Sequence, residues 1–332
     1  MIAAPTPRPT VLILGANGRF GTAAAQAFGS AGWRVLAQVR GDASRLMPAG
    51  ATLLRLPLAD SGALLTAAQG AHVVVHAVNP PYTRWEAEAM PALRAGLQLA
   101  ERLQAHFMLP GNVYNHGSAM PALLTESTPF HPDTPKGEIR VAMEALIEHG
   151  TRRGGFTASV IRAGDFFGAG SGTWLDQVIV KSRRAGKLVY PGPLDVVHAW
   201  AYLPDLARAF VRIASLPVHE PFDTWHFNGH ALTGAEFLAA IEAAAADLGM
   251  APPNGWRRGA MPWGLIGAGG LVWPLWRELA RMSYLWRVPH RLDGRRLAAL
   301  PGAGHDTTPL PLALRNTLLA LNLGREAPRL SA

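Results

Sequence analysis

Residues 11–21 read VLILGANGRFG, and the helix-like stretch Thr22–Ser30 follows them. An apolar run, three glycines spaced as GxxGxxG and a helical stretch predict a strand, a tight turn and a helix start. Gly15 permits the sharp exit from the strand, Gly18 lets phosphates approach bare backbone, and Gly21 lets the helix pack closely on the sheet. Since the helix start adds free N–H groups and a partial positive charge, this unit is predicted to bind a dinucleotide diphosphate.

The composition is typical of a globular protein. Of the 332 residues, 49% are hydrophobic and 16% are charged, and no internal repeat or low-complexity tract stands out. A chain of this length predicts a nucleotide-binding core of about 200 residues with a smaller substrate lobe. We assign residues 1–164 and 194–215 to the dinucleotide-binding domain, and residues 165–193 and 216–332 to the substrate-binding lobe.

Several functional classes are excluded or disfavoured by composition. The absence of cysteine excludes disulfides, Cys-ligated zinc and thiolate catalysis, and no set of metal ligands suggests a metal site. The formal charge is +8, but the cations are almost all arginine and no recognition motif accompanies them, so no nucleic-acid partner is expected. The stretch MIAAPTPRPT at residues 1–10 lacks the pattern of a signal peptide, which favours a cytoplasmic location.

An uncharged segment extends from Gly259 to Trp276. This is the length at which a membrane span is considered, but its glycines and its prolines at 262 and 274 argue against one. We interpret the segment as a loop followed by an amphipathic helix, Leu271–Trp286, in which Arg277, Glu278 and Arg281 interrupt the apolar positions. Burial of this helix in the lobe is the favoured prediction, and contact with one membrane leaflet is the alternative.

Apolar strands alternate with helix-like stretches along the first half of the chain. This alternation predicts an α/β fold with a doubly wound parallel sheet of the Rossmann type, covered by helices on both faces. Strands are predicted at 11–14, 34–39, 52–56, 72–78, 106–109 and 157–162, and helices at 22–31, 61–69, 86–104 and 137–150.

Six segments carry a resemblance to a known family. They are GANGRFG at 15–21, HVVVHAVNP at 72–80, FMLPGNVYNHG at 107–117, KGEIRVAMEALI at 136–147, VIRAGDFFGAG at 160–170 and AYLPDLARAF at 201–210. In this order the chain resembles the extended short-chain dehydrogenase/reductases, in the broad group of NAD-dependent epimerase/dehydratase-like proteins. The match covers most of residues 10–215. The resemblance implies a nicotinamide dinucleotide as cofactor, a C-terminal substrate lobe, and a homodimer formed through the helices at 86–104 and 137–150.

The glycine pattern and the resemblance together predict the cofactor contacts. These are Gly15, Asn17, Gly18, Arg19, Phe20, Gly21, Arg40, Ala77, Val78, Asn79, Lys136, Gly164 and Asp165. The second strand, VLAQV, ends at Arg40, where an acidic residue would bind a ribose 2′-hydroxyl and a basic one a 2′-phosphate. With Arg19 as a second cation, NADP is predicted over NAD, which stays open as the alternative.

The catalytic positions depart from the family pattern. Similar enzymes use a Tyr with a Lys four residues later, where the Lys lowers the pKa of the phenol and the Tyr moves the proton. None of the five tyrosines has Lys at that spacing, and the corresponding stretch holds Lys136 and Arg140, while Pro110 aligns with the family's Ser. In one hypothesis Lys136 donates the proton and Arg140 makes the ribose contacts. Tyr114 and His116 would then supply a further proton or polarise a carbonyl.

A second hypothesis makes the protein catalytically silent. In it, Lys136 and Arg140 form an ion-pair network with Glu144 or Glu138, and the chain is a dinucleotide-binding sensor. Because ionisable groups remain at the altered positions, we favour the enzyme.

The predicted substrate pocket lies beyond the carboxyl ends of the strands, where strand order reverses. Its predicted lining is Pro80, Tyr82, Trp85, Asn112, Phe166, Phe167 and Trp174. An aromatic lining with few charges suits an apolar or aromatic carbonyl compound better than a sugar nucleotide, whose diphosphate requires cations. Asp165 follows a buried strand, where a carboxylate is costly unless it is paired, so we expect a partner in Arg162 or Arg140, or a role as a base.

These features together predict an NAD(P)-dependent oxidoreductase of the extended short-chain type, acting on a small hydrophobic carbonyl or hydroxy compound with a non-standard catalytic site. The alternatives are a silent dinucleotide-binding regulator, and an epimerase or isomerase that uses the nicotinamide only transiently.

Overall fold

The computed structural model describes residues 8–41, 46–301 and 307–321. Residues 1–7, on which the prediction of location largely depends, lie outside the described residues. No helix in the described part of the chain combines the length and the apolar character needed to cross a bilayer.

The structure contains strands of two to six residues. They are β1 Thr10–Leu14, β2 Arg34–Gln38, β3 Thr52–Leu54, β4 Val73–His76, β5 His106–Gly111, β6 Leu123–Leu124, β7 Ala158–Arg162, β8 Asp165–Phe167, β9 Lys187–Tyr190, β10 Val197–Tyr202, β11 Phe222–His226, β12 His230–Thr233, β13 Arg257–Ala260 and β14 Arg291–Leu292.

The helices alternate with these strands in the first half of the chain. They are α1 Arg19–Ser30, α2 Ser61–Ala67, α3 Trp85–Leu103, α4 Pro135–Arg152, α5 Leu203–Ala214, α6 Gly234–Asp247, α7 Trp263–Gly269, α8 Pro274–Arg281, α9 Arg295–Ala298 and α10 Leu310–Ala320.

The main sheet has seven strands in the order β11-β7-β5-β4-β1-β2-β3, and every neighbouring pair is parallel. Strands β2 and β3 are added on one side of β1, and strands β4, β5, β7 and β11 are added on its other side. Strand order therefore reverses between β1 and β4, which leaves a crevice at their carboxyl ends. The predicted doubly wound parallel α/β fold is confirmed.

The two faces of this sheet are covered by different helices. Phe20 and Phe28 of α1 and Phe210 of α5 are buried in a core on one face. On the other face, Leu93 of α3 and Ile147 of α4 are buried in a second core. Because helices shield both faces, the central strands are apolar on both sides, as β1 with all five residues buried illustrates.

Smaller sheets and helices build the C-terminal part of the described chain. One sheet has the order β12-β10-β8, and β9 and β6 pair with β13 and β14 respectively. Trp200, Phe237 and Trp286 are buried in a core of their own there. The division into two domains at the predicted boundaries stays a prediction.

The prediction of one amphipathic helix over Leu271–Trp286 is wrong. Helix α8 begins only at Pro274, and the chain changes to a 3₁₀-helix at Met282. Proline explains the start, because it has no N–H to donate and fits the first helical position. The predicted burial is wrong at the start of the segment, since Leu271 is 87% exposed and Val272 is 73% exposed.

Candidate active site

The glycine turn between β1 and α1 has the geometry predicted for it. Gly15 has φ +73°, a left-handed conformation that favours glycine. A Cβ on Gly21 would lie 2.4 Å from the carbonyl oxygen of Gly15, so only glycine allows the helix to approach the strand this closely. A Cβ on Gly15 itself would lie 3.1 Å from the Cα of Val78, which places the Ala77–Val78 backbone beside the turn.

The start of α1 leaves backbone donors available to an anion. Gly18 is the N-cap residue and has no side chain to cap the helix. The Thr22 N–H donates to the Gly18 carbonyl, so the N–H groups of Arg19, Phe20 and Gly21 precede the helical ladder. These donors and the bare turn fit a dinucleotide diphosphate. At Phe20 only the backbone is available at this end of the helix, because the ring is buried 4.6 Å from that of Phe210.

Gln38 was not predicted and holds the turn in place. Its Oε1 accepts a hydrogen bond from the Gly15 N–H at 2.9 Å, and its Nε2 donates to the Leu56 carbonyl at 2.7 Å. The side chain thus joins the ends of three strands of the sheet beneath the glycine turn. A polar residue inside the apolar run VLAQV is the sequence signal that would have identified it.

The two arginines predicted to favour NADP have different surroundings. Arg40 is exposed just after β2, and no ion pair to it is found within the described residues. The Arg19 guanidinium instead donates a hydrogen bond to the Gly172 carbonyl. The Gly172 N–H in turn donates to the Asp176 carboxylate at 2.8 Å. Within the described residues Arg40 is thus an exposed cation at the end of β2, while Arg19 fastens a loop beside the glycine turn.

Lys136 lies at the start of α4, whose N-cap Thr134 accepts a hydrogen bond from the Gly137 N–H. Its side chain is 2% exposed, and its ammonium is bonded to the Glu278 carboxylate of α8. The Nζ atom also lies 4.3 Å from the centre of the Tyr82 ring.

The predicted partners of Lys136 and Arg140, Glu144 or Glu138, are wrong. Glu144 binds Arg162 at 2.6 Å, and Lys136 binds Glu278. The prediction failed because it considered only one helix, whereas α8 brings a distant carboxylate to the start of α4.

Arg140 lies one turn beyond Lys136 on α4. It donates to the Pro110 carbonyl at 3.2 Å, and its guanidinium stacks 4.8 Å from the Trp85 ring. Its buried Nε has no hydrogen-bond partner among the described residues. Burial lowers the pKa of Arg140, and the neighbouring Tyr114 and Glu144 oppose this shift.

Two phenols face each other beside this helix. Tyr82 and Tyr114 are hydrogen-bonded, and the pKa of each is raised, chiefly by burial. Both phenols therefore stay neutral near pH 7 and can donate a proton in a hydrogen bond. The Asp165 charge raises both pKa values further, which places that carboxylate near the same group.

Asp165 is paired, but the predicted partners, Arg162 and Arg140, are wrong. Its Oδ2 lies 2.9 Å from Nε2 of His198, whose Nδ1 faces the Leu285 carbonyl at 3.2 Å. The pairing follows from the register of β8 beside β10, which sets Asp165 opposite Trp200, two residues from His198.

His116 lies in a separate polar cluster. Its Nδ1 is 3.1 Å from the Pro129 carbonyl, and burial lowers its pKa. The Arg162 and Glu144 charges also act on its pKa, and Asn115 donates to Glu144 at 2.9 Å. The structure thus places the His116 ring with this ion pair, while Tyr114 faces Tyr82.

The predicted substrate residues fall into two groups. Tyr82, Trp85 and Trp174 keep their aromatic rings near the candidate site, with Trp174 packed against Trp263 and Trp286. The residues of the second group contact other parts of the protein. The Pro80 carbonyl accepts a hydrogen bond from the Trp85 indole, the Asn112 side chain accepts one from the Tyr114 N–H, and Phe166 packs against the core that contains α1 and α5.

The role predicted for Phe167 is wrong. It is fully buried among Trp200, Tyr202 and Phe237, so it packs the core of the C-terminal part and cannot line a pocket. Close packing explains why residue 164 is a glycine, since a Cβ there would lie 2.1 Å from the Ala199 carbonyl oxygen. Asn79 is exposed at the crevice end of β4.

A family model and solved structures match the chain. The model of the NAD dependent epimerase/dehydratase family matches residues 11–225. No curated protein is significantly similar in sequence. One similar structure is L-threonine dehydrogenase from Clostridium difficile, with 15% identity and a TM-score of 0.72 over 96% of this chain and 99% of that one.

Two further structures share the fold. UDP-N-acetylglucosamine 4-epimerase from Methanobrevibacter ruminantium, in complex with UDP-N-acetylmuramic acid, has 14% identity and a TM-score of 0.72 over 95% of this chain and 98% of that one. MoeE5 in complex with UDP-glucuronic acid and NAD has 17% identity and a TM-score of 0.68 over 94% of this chain and 98% of that one. At these identities the likeness is one of fold.

Proposed function

Because the chain belongs to the NAD dependent epimerase/dehydratase family, we propose that it is an oxidoreductase that transfers hydride between NADP and a small hydrophobic carbonyl or hydroxy compound. The observation that carries the proposal is the buried ammonium of Lys136, held by Glu278 beside Tyr82. A proton donor in an aromatic, water-poor setting occupies the position where the family pattern has its catalytic tyrosine.

In this proposal Lys136 moves the proton. A bound nicotinamide supplies hydride to the substrate carbon or accepts it. During reduction the Lys136 ammonium donates a proton to the carbonyl oxygen and becomes a neutral amine. During oxidation the neutral amine takes the hydroxyl proton and becomes an ammonium. Glu278 orients the ammonium and is itself held by Arg281 at 2.9 Å, so the donor keeps one position.

The neighbouring side chains have supporting roles. Arg140 makes the cofactor ribose contacts that a lysine makes in the family pattern, and the neutral Tyr114 phenol donates a hydrogen bond to the substrate oxygen. We place His116 outside the reacting group, because its Nδ1 faces the Pro129 carbonyl and its ring lies near the charges of Arg162 and Glu144.

The proposed substrate differs from those named for two of the neighbours. Those neighbours bind UDP sugars. A sugar diphosphate requires cations of its own, whereas here the Lys136 ammonium is bonded to Glu278 and Arg140 is assigned to the cofactor ribose. Tyr82, Trp85 and Trp174 favour an apolar or aromatic compound.

Cofactor preference, location and assembly complete the proposal. Exposed Arg40 favours NADP, and NAD is the alternative. We place the protein in the cytoplasm, as a homodimer through α3 and α4.

One observation favours a second candidate function. None of the five tyrosines has a Lys four residues later, and this loss of the family's Tyr and Lys pair fits a dinucleotide-binding regulator that does not turn over. An epimerase that reduces and reoxidises one substrate is a third candidate, consistent with the family.

Calorimetry and turnover separate these candidates. Calorimetry with NAD, NADH, NADP and NADPH measures binding, and absorbance of the reduced nicotinamide across a panel of apolar aldehydes and ketones measures turnover. Binding of NADPH with carbonyl-dependent oxidation supports the oxidoreductase. Binding with no oxidation supports the regulator, and no heat with any of the four dinucleotides overturns the proposal.

A further inference from the structure

The helices α7 and α8 form a hairpin whose tip is apolar and exposed. Eleven large hydrophobic side chains are exposed in the described residues, and five of them are Leu265, Leu271, Val272, Trp273 and Leu275 of this one segment. The exposed fractions of Leu271, Val272 and Trp273 are 87%, 73% and 54%. A concentration of exposed apolar side chains in one short segment marks an interaction surface.

The tip packs closely on itself although it is exposed. The Trp273 and Trp276 rings pack 4.9 Å apart, and a Cβ on Gly269 would lie 2.2 Å from the Trp276 ring. The chain also carries no charge from Gly259 to Trp276, so the tip can enter an apolar medium without desolvating an ion.

The charges next to the tip indicate what covers it. Arg277 is exposed one turn beyond Trp273 on α8, and it has no ion-pair partner among residues 8–41, 46–301 and 307–321. An apolar tip with an indole and an exposed arginine behind it matches the layers of a bilayer surface, where acyl chains lie below anionic headgroups. We propose that the α7–α8 tip docks on the surface of an anionic lipid bilayer.

The hairpin also borders the candidate active site. Trp263 at the start of α7 packs 6.5 Å from Trp174, and Glu278 of α8 bonds Lys136. Docking therefore brings the helix that carries Glu278 next to a medium that dissolves apolar carbonyl compounds. This last consequence rests on the proposed function, whereas the docking surface does not.

Vesicle sedimentation tests the docking surface. The whole protein is spun with vesicles of phosphatidylcholine and phosphatidylglycerol in equal amounts. The variant Leu271→Ser/Val272→Ser/Trp273→Ser is expected to partition at least about tenfold less than the wild type, because apolar burial at the interface is lost. Val218→Ser is the matched control, since Val218 is 80% exposed but lies outside the hairpin, and it is expected to bind as the wild type does.

A second variant tests the charge. Arg277→Gln is expected to weaken binding to these vesicles about fivefold and to leave binding to pure phosphatidylcholine unchanged. Far-ultraviolet circular dichroism reports that each variant is folded. Vesicle binding without any carbonyl-dependent turnover overturns the proposed function alone, so the two proposals fail separately.

Three outcomes overturn the docking proposal. The first is a wild-type protein that stays in the supernatant, and the second is a triple variant that sediments as the wild type does. The third is self-association in sedimentation velocity that the triple variant abolishes while vesicles remain unbound, which would assign the tip to a second copy of the chain.

Discussion

The ammonium of Lys136, at the start of α4, is hydrogen-bonded to the carboxylate of Glu278 on α8, 142 residues further along the chain. Both side chains are nearly buried, with exposed fractions of 2% and 9%. Removing one partner of such a pair leaves an uncompensated buried charge, whereas replacing both by apolar groups is often neutral. The pair therefore serves both stability and the proposed chemistry, and a test has to separate the two.

Replacement of Lys136 by methionine is expected to abolish turnover and to destabilise the fold. Turnover of a carbonyl substrate should fall about 100-fold or more, the range for loss of a proton donor. The free energy of unfolding should fall by about 3 kcal/mol, because Glu278 loses its buried partner. Denaturant unfolding and steady-state kinetics measure the two effects, and calorimetry should show unchanged cofactor binding.

The double variant Lys136→Met/Glu278→Met separates chemistry from stability. It should regain most of the unfolding free energy while turnover stays low. Lys181→Met, which removes an exposed lysine, is the matched control for a change of charge and should behave as the wild type. Wild-type turnover in the double variant would exclude Lys136 as the proton donor.

The local parts of the structure were predictable from sequence. The glycine turn at Gly15 and the start of α2 at Ser61, with Asp60 as its cap, follow from short-range patterns. The cap is a direct example, since Asp60 accepts a hydrogen bond from the Ala63 N–H at 3.1 Å. Such features depend on neighbours within a few residues.

The partners of the buried charges were not predictable in the same way. Glu278 reaches Lys136, and His198 reaches Asp165, only because distant segments pack together. Phe167 was assigned to the pocket because an aromatic residue at a strand end looks the same whether it faces a cavity or a core. These contacts depend on the packing of distant segments, and the spacing of residues along the chain does not predict it.

Replacement of Arg40 by aspartate is expected to reverse the preference between the two nicotinamide dinucleotides. The exposed guanidinium after β2 would pair with a 2′-phosphate, and a carboxylate would repel it. Binding of NADPH should weaken at least about tenfold, while binding of NADH should stay equal or improve. Calorimetry measures both, with Arg34→Asp at the opposite end of the same strand as the control. Equal loss of both cofactors would count against a 2′-phosphate contact.

Replacement of Gly21 by alanine is expected to disturb both the fold and cofactor binding. The added Cβ would lie 2.4 Å from the Gly15 carbonyl oxygen, a backbone atom that cannot move without shifting the turn. A loss of about 1–3 kcal/mol in unfolding free energy is expected, together with weaker dinucleotide binding. Gly62→Ala in α2 is the matched control, because the nearest atom to its Cβ would be 4.0 Å away, and it should stabilise slightly. A Gly21→Ala protein as stable as the wild type would contradict the close packing of α1 on β1.

Protonation of buried histidines is expected to destabilise the protein in acid. Burial, with a further contribution from the Arg140 cation, lowers the pKa of His76 to about 3. The unfolded chain then binds a proton near pH 6.5 that the folded chain does not, so the stability is complete above about pH 6.5 and declines as pH falls toward 3. His226 and His290, with pKa values lowered to about 4 by burial and by Arg162 and His198 respectively, act in the same direction.

The variant His76→Leu isolates one of these protons. Between pH 8 and pH 5, its unfolding free energy should decline by about 2 kcal/mol less than that of the wild type, since about 1.4 kcal/mol per pH unit is removed below pH 6.5. The variant His149→Leu, at an exposed position on α4, should keep the wild-type pH dependence. Urea unfolding at each pH measures the three slopes. If the curves for His76→Leu and the wild type were parallel, His76 would have to accept a proton in the folded protein as readily as in the unfolded chain. The charge of the buried Arg140 opposes this, because a protonated His76 would be repelled by it.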